Sequence, residues 1–237
     1  MSVMPAETFE RRWRPLLRPG GVAALVIVAL IPVQMADYIA YPPPDTVAGS
    51  FSLFQDNALL GLLSLDLLYL LNNALLSIVY LALYVALRRS AESAMAIALT
   101  LGMIGIAAYF ASNTGFEMLS LASQYAAATT DLQRTIMLAA GQAMLAIYQG
   151  TAFDVYYVLN AAALLIMGGV MLRSPLFSRR DAVVGLAAGV LMIIPSTEGT
   201  VGLIFAIASL VPWAVFSVLV ARRLFKLART AESGVAP

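Results

Sequence analysis

The chain contains neither cysteine nor histidine, and charged residues make up only 11% of its 237 positions. The missing thiol and imidazole groups exclude cysteine and histidine nucleophiles, disulfides, haem ligation by histidine and the usual zinc sites. Any bound metal would have to be a hard cation held by oxygen ligands. No phosphate, dinucleotide or haem motif is present, so we predict neither a cofactor nor a resident metal ion.

What fills the sequence instead is apolar. Hydrophobic residues account for 61% of it, and the mean hydropathy is +0.87. A soluble domain carries roughly 25% charged residues, so the composition predicts an integral membrane protein whose main partner is the lipid bilayer. The 13 acidic and 14 basic residues nearly cancel, and the net charge therefore indicates no nucleic-acid partner.

Six segments are apolar enough to be predicted as membrane spans. They cover residues 21–40, 59–87, 94–112, 151–172, 182–195 and 200–221. The second belongs to an unbroken hydrophobic helix pattern over residues 57–89, around which the other spans would be arranged. The fifth is the weakest, because Pro195 limits its outer end. Residues 1–20 are predicted to form a cytoplasmic interfacial segment, residues 21–223 the membrane domain and residues 224–237 a cytoplasmic tail.

The basic residues indicate an orientation. With six spans and a cytoplasmic N-terminus, thirteen of the fourteen basic residues lie on the cytoplasmic side, and only Arg134 lies outside. Cytoplasmic loops of membrane proteins carry such an excess of arginine and lysine. We therefore predict a multi-pass protein of the inner, cytoplasmic membrane with both termini in the cytoplasm.

Two outer connections follow from this orientation. Three consecutive prolines at 42–44 end the first span, and residues 41–56 are predicted to form a loop. Between the third and fourth spans, Thr130 and Gln133 have the spacing of a capping box, which predicts a helix from Asp131 that ends near Gly150. Its apolar stretch, 135–148, is too short to span comfortably. The predicted fold is therefore all-α, with six spans and one amphipathic helix on the outer surface, preceded by a shorter helix near 116–127.

Polar residues recur at helical spacing inside the second span. Asp66, Tyr69 and Asn73 begin a stripe that continues through Ser77 and two further tyrosines. A carboxylate within lipid costs roughly 2.5–3.5 kcal/mol on insertion scales unless it faces protein or water. We therefore expect the stripe to face the interior of the helix bundle.

Other spans contribute similar polar residues near their outer ends. The predicted ligand-binding set is Asp37, Asp66, Tyr69, Asn73, Asn113, Glu117, Asp154 and Asn160. Among the basic residues only Arg134 is predicted at that depth, so desolvation is expected to favour the neutral form of Asp66. Asp66 is the main candidate because it lies deepest.

Several interpretations of this set remain open. The polar residues could serve only as hydrogen bonds between helices, or form an outward-facing pocket for a proton, a cation or a small amphiphile. A membrane hydrolase with paired carboxylates and a water nucleophile is a third interpretation, which the absence of histidine and cysteine disfavours. A structural or regulatory subunit acting through protein contacts, including contacts in a homo-oligomer, is the alternative from another class.

A resemblance to a known family is concentrated in residues 110–174. The residues that carry it are Asn113, Glu117, the run SQYAAATT at 123–130, Gly141-Gln142, Gln149-Gly150-Thr151 and Arg173. In these positions the chain resembles a group of prokaryotic six-span membrane proteins catalogued as a domain of unknown function. The resemblance implies a six-span helical fold in a membrane and supplies no activity or cofactor.

Overall fold

The computed structural model describes residues 13–44, 46–197 and 199–232, and all regular structure within these ranges is helical. The predicted all-α class is confirmed. A 3-10 turn, Arg14–Leu16, leads into the α-helices. They are α1 (Leu17–Ala40), α2 (Val47–Asp56), α3 (Ala58–Ser64), α4 (Leu67–Leu87), α5 (Glu92–Ser112), α6 (Gly115–Ala127), α7 (Asp131–Tyr148), α8 (Thr151–Arg173), α9 (Arg179–Leu191) and α10 (Gly199–Glu232).

Five helical segments of the described chain are long and apolar enough to cross a membrane. They are Arg14–Ala40, Leu67–Leu87, Glu92–Ala127, Asp131–Arg173 and Gly199–Thr230. The fifth predicted span, 182–195, is not among them, because α9 has only 13 residues and ends before Pro195. A helix of that length rises about 20 Å, short of the roughly 30 Å of a hydrocarbon core.

Six helices form a closed ring in which each packs against the next. Their order is α1, α4, α5, α8, α9 and α10, which returns to α1. This is also the order along the chain, so neighbouring helices run antiparallel. The largest apolar core lies inside the ring and includes Leu83, Met95 and Met167, none of which is exposed. Each of the six predicted apolar segments overlaps a helix of this ring, and five of the six ring helices belong to segments long and apolar enough to cross a membrane.

The remaining four helices, α2, α3, α6 and α7, form a cap at the end of the ring where α1 ends and α4 begins. The cap has its own apolar core, which includes Phe51, Phe54 and Met118. Both helices predicted between the third and fourth spans are present, and the capping box of Thr130 and Gln133 starts α7 as expected. The predicted loop at 41–56 is wrong in part, because its second half forms α2.

The prediction of an unbroken helix over residues 57–89 is wrong. Asp66 adopts φ 61° and ψ 33°, a left-handed conformation that separates α3 from α4. Aspartate is one of the few residues other than glycine that tolerate this region. Asn113 stabilises the break, since its Nδ2 donates a hydrogen bond to the Leu65 carbonyl at 2.7 Å. Apolar residues continue on both sides, so the hydropathy pattern does not reveal the interruption.

The end of the ring opposite the cap carries nearly all the basic residues of the described chain. Arg88 and Arg89 follow α4, Arg173 ends α8, and Arg179 begins α9. The C-terminal part of α10, beyond the predicted boundary of the membrane domain at residue 223, adds further bases. Arg134 in α7 is the exception, as the sequence predicts. The outer parts of the predicted cytoplasmic segments, 1–12 and 233–237, lie outside the described residues.

Candidate functional site

Aromatic side chains from α4, α5 and α8 meet inside the ring, next to the cap. Tyr109, Phe153, Tyr156 and Tyr157 form a buried cluster against which Tyr69 packs. The three α8 residues Phe153, Tyr156 and Tyr157 share one side of that helix because they are three or four residues apart. The helical periodicity of α8 therefore places three members of the cluster, and we call these three residues together with Tyr69 and Tyr109 the tyrosine cluster.

The rings of the tyrosine cluster contact one another directly. The centroid of Tyr109 lies 5.2 Å from that of Tyr69 and 5.0 Å from that of Tyr156. Tyr69 and Tyr156 are 6.2 Å apart with their planes nearly perpendicular. These are the distances of mutually packed aromatic rings. The rings therefore fill the space between the three helices.

Hydrogen bonds join α4 to α8 through this cluster. The Tyr156 hydroxyl donates to the Tyr69 hydroxyl at 3.2 Å. One level further from the cap, the Tyr80 hydroxyl donates to Asn160 Oδ1 at 2.9 Å. Asn160 Nδ2 donates in turn to the Tyr156 carbonyl at 2.9 Å, and Asn73 Nδ2 donates to the Tyr69 carbonyl at 3.0 Å. The stripe predicted in the second span therefore faces the bundle interior.

Asp66 connects the cap to the ring. Its carboxylate accepts a hydrogen bond from the hydroxyl of Tyr148, at the end of α7. Asp66 also precedes the first turn of α4, where unpaired backbone N–H groups favour a negative charge. The one basic residue of the cap within the described ranges, Arg134, is exposed and donates to the Ala128 carbonyl instead. The partner of the Asp66 carboxylate is thus a neutral hydroxyl.

The other predicted site residues have separate positions. Asp37 is half-buried in the last turn of α1, close enough to Asp66 for the two carboxyl groups to interact electrostatically. Asp154 accepts a hydrogen bond from the Thr197 hydroxyl, which joins α8 to the segment before α10. Asn113 holds the break beside Asp66. Glu117 is exposed on α6 and lies apart from the site.

Glu117 lies apart because the chain turns between α5 and α6. The first helix ends at Ser112 and the second begins at Gly115. The 3.6-residue period that begins at Tyr109 therefore does not continue to Glu117. From the predicted set, the structure brings Asp37 and Asn113 close to Asp66. It places Tyr69, Asn73 and Asn160 around the tyrosine cluster.

Sequence reasoning missed Tyr148, the partner of Asp66. A signal for it exists, because Gly141, Leu145 and Tyr148 recur at helical spacing along α7. Gly141 is buried, and a Cβ at that position would overlap Val47 of α2. The spacing identifies the face of α7 that packs against protein. It does not say which residue of another helix Tyr148 meets.

Within the ranges that the structure describes, no group of three or more acidic, cysteine or histidine side chains could hold a metal ion. The fold and the five apolar helical segments indicate a multi-pass membrane protein. No family model, curated protein or solved structure matches the chain. The resemblance to a six-span family therefore stays a prediction.

Proposed function

We propose that the protein crosses the membrane six times and binds a monovalent cation, either a proton or a small inorganic ion, at an intramembrane site centred on Asp66. The observation that carries this proposal is the position of the carboxylate. It lies at a helix break in an apolar bundle, and its hydrogen-bond partner is a tyrosine instead of a base. Ionisable groups in such positions are typical of ion and proton sites, and interrupted helices commonly frame them.

The cap is proposed to face the outside and the basic end the cytoplasm. The excess of basic residues at one end of the ring supports this orientation. Six crossings are supported by the path of the chain, because α8 and α10 both run from the cap to the basic end. Between α8 and α10, the short helix α9 and residues 192–197 return the chain to the cap.

Cysteine labelling tests the proposed orientation, and the natural absence of cysteine removes any background. Thr129, next to the start of α7, and Ser90, between α4 and α5, are both exposed. We expect a membrane-impermeant maleimide to label Thr129→Cys in intact cells and Ser90→Cys only after permeabilisation. Labelling of Ser90→Cys in intact cells would contradict six crossings with cytoplasmic termini.

The substitution Asp66→Asn tests the site itself. Asparagine has nearly the same shape, tolerates the left-handed backbone and can still accept from Tyr148, but it cannot take up a proton. We expect the thermal unfolding midpoint of the wild type, measured between about pH 4 and 8, to change with pH, and that of Asp66→Asn to change less.

The neighbours of Asp66 determine the control. The titratable groups that interact with Asp66 are Tyr69, Tyr109, Tyr148, Tyr157 and Asp37. Tyrosine does not normally titrate in this pH range, so Asp37 is the one other carboxyl group among these neighbours. Asp37→Asn should keep the step. Superimposable profiles for the wild type and Asp66→Asn would rule out Asp66 as a proton site.

Two alternatives from other classes make different predictions. A subunit that acts only through protein contacts would use Asp66 as a hydrogen-bond acceptor, and Asp66→Asn would then be neutral at every pH. A hydrolase needs two carboxylates about one water molecule apart. Asp154 is hydrogen-bonded to Thr197 instead, which leaves Asp37 as the acid of the predicted set that lies close to Asp66. Loss of an activity in both Asp66→Asn and Asp37→Asn would favour this alternative.

A further inference from the structure

The outer face of α10 changes from apolar to basic along its length. Side chains on this face recur three or four residues apart, the spacing that keeps them on one side of a helix. All but one are exposed, and Val218 is half-buried. We call the first five the apolar strip and the last three the basic strip. They are Ile204, Ala208, Val211, Val215 and Val218, followed by Arg222, Lys226 and Arg229.

The opposite face of α10 packs inside the ring. Phe216, Val220, Leu224 and Ala228 follow one another at intervals of four residues, and none is more than 5% exposed. This packing fixes the rotation of α10, so both strips point away from the bundle. At 1.5 Å per residue the apolar strip covers about 21 Å of helix. One leaflet contributes about 15 Å of hydrocarbon, so the strip is long enough to contact acyl chains over the depth of a leaflet.

The bases of the basic strip are accessible to a ligand. Arg222 and Lys226 are exposed, and neither pairs with an acidic side chain within the described ranges. Their neighbour Arg223 is occupied by Asp181, with Nε 3.0 Å from Oδ2. This ion pair holds the first turn of α9 beside α10, and that turn adds two exposed arginines at 179–180. The corner between α9 and α10 therefore carries an excess of positive charge.

We infer that the outer face of α10 binds an anionic phospholipid, with the phosphate on Arg222 and Lys226 and the acyl chains along the apolar strip. Arginine donates paired hydrogen bonds to phosphate oxygens, and lysine supplies a point charge. Clusters of bases next to a membrane-spanning helix attract anionic lipids. The site lies at the opposite end of the ring from Asp66 and does not depend on the cation proposed there.

The order of the two strips selects a lipid over other occupants. A soluble acidic protein or a nucleic acid would contact the basic strip and leave the apolar strip uncovered. A phospholipid covers both, because its charged headgroup and its acyl chains are joined in the order in which the strips follow each other. A second copy of the chain in the same membrane orientation would bring two basic strips together, and like charges repel.

Lipid titration followed by native mass spectrometry tests the site in the purified full-length protein. Phosphatidylglycerol and phosphatidylcholine with identical acyl chains are added separately in mild detergent, and the fraction of protein with one bound lipid is measured. We expect phosphatidylglycerol to reach half-saturation at roughly one tenth of the phosphatidylcholine concentration. Glycerophosphoglycerol, which has the same headgroup without acyl chains, should not displace phosphatidylglycerol at equal concentration.

Arg222→Gln combined with Lys226→Gln removes charge from the basic strip and keeps the ion pair of Arg223. We expect this double variant to bind phosphatidylglycerol roughly tenfold more weakly than the wild type. Arg134→Gln combined with Arg173→Gln is the matched control, because it removes two exposed charges from α7 and α8. It should bind as the wild type does. The thermal unfolding midpoint without added lipid checks that both double variants are folded.

Several results would overturn the site. Equal binding of the two lipids by the wild type, which needs no variant, would remove the preference for an anionic headgroup. Undiminished binding by the α10 double variant would exclude the basic strip, and an equal loss in the control would mean attraction by net charge alone. Displacement of phosphatidylglycerol by glycerophosphoglycerol would exclude the apolar strip. A persistent dimer that binds no phosphatidylglycerol would mean that a second copy covers this face.

Discussion

Replacing Asp181 with alanine should reduce the free energy of unfolding by about 3 kcal/mol, because it breaks a buried ion pair. Arg223 Nε lies 3.0 Å from Asp181 Oδ2, and the aspartate side chain is only 4% exposed. The same carboxylate accepts the backbone N–H of Ser178 at 2.8 Å, which completes the capping box of α9. The arginine side chain is 34% exposed, which keeps the loss at the lower end of the usual range.

The ion pair matters because it fixes the weakest helix of the ring. It joins the start of α9 to the C-terminal half of α10, at the basic end of the bundle. With only 13 residues, α9 has fewer side chains that can pack against its neighbours and therefore depends more on such end contacts. Loss of the pair should therefore loosen α9 before the rest of the ring.

Two variants make this prediction specific. Asp181→Asn keeps the shape and the capping acceptor and loses the charge, so it should cost less than alanine does. Asp131→Ala removes an acid from the first turn of α7 in an exposed position, and should cost less than about 0.5 kcal/mol. The measurement is reversible denaturant unfolding in mixed micelles. Equal effects of the alanine changes at 181 and 131 would show that the ion pair contributes nothing.

Local signals account for the parts of the fold that the sequence predicts. Thr130 and Gln133 define the start of α7 through side chain to backbone hydrogen bonds within four residues. The prolines at 42–44 end α1, and α8 begins at Thr151 as predicted. These features depend on neighbouring residues only. The clustering of basic residues at one end of the ring could also be predicted, because it depends only on the number of helices and their order along the chain.

Features that depend on distant contacts are absent from the prediction. The break at Asp66 requires a hydrogen bond from Asn113 to the carbonyl of Leu65, 48 residues earlier in the chain. The helix α2 becomes stable only where Phe51 and Phe54 pack against α6 and α7. A hydropathy pattern contains no information on such pairs. The same holds for the candidate site. The stripe of Tyr69 and Asn73 could be predicted from the helical period, whereas their partners on other helices could not.

A methyl group at Gly105 is expected to destabilise the protein strongly. A Cβ there would overlap Nδ2 of Asn160 and lie 3.3 Å from the Tyr156 carbonyl oxygen. The Asn160 amide cannot simply rotate away, because it is fixed by hydrogen bonds to Tyr80 and to the Tyr156 carbonyl. Overpacking costs roughly 1–3 kcal/mol and each lost hydrogen bond about 1 kcal/mol. We therefore expect Gly105→Ala to cost about 3 kcal/mol.

The same substitution at Gly169 should have the opposite sign. Gly169 lies within α8, and a Cβ there would meet no atom of the described chain within 4 Å. Alanine is favoured over glycine in a helix by about 0.5–1 kcal/mol, so Gly169→Ala should stabilise the protein. Unfolding of both variants under identical conditions provides the comparison. Stabilisation by both changes would mean that α5 and α8 are not in close contact at Asn160.

A double-mutant cycle separates the overlap from any general effect on α5. Asn160→Ala removes the amide that the new methyl group would displace, and it leaves the Tyr80 hydroxyl without that acceptor. When Gly105→Ala is added to Asn160→Ala, its cost should largely disappear, which gives a coupling energy of about 1–3 kcal/mol. Additive effects would place the strain elsewhere. Strong coupling would show why position 105 is a glycine. The Asn160 amide, held between Tyr80 and Tyr156, occupies the space that a side chain at position 105 would need.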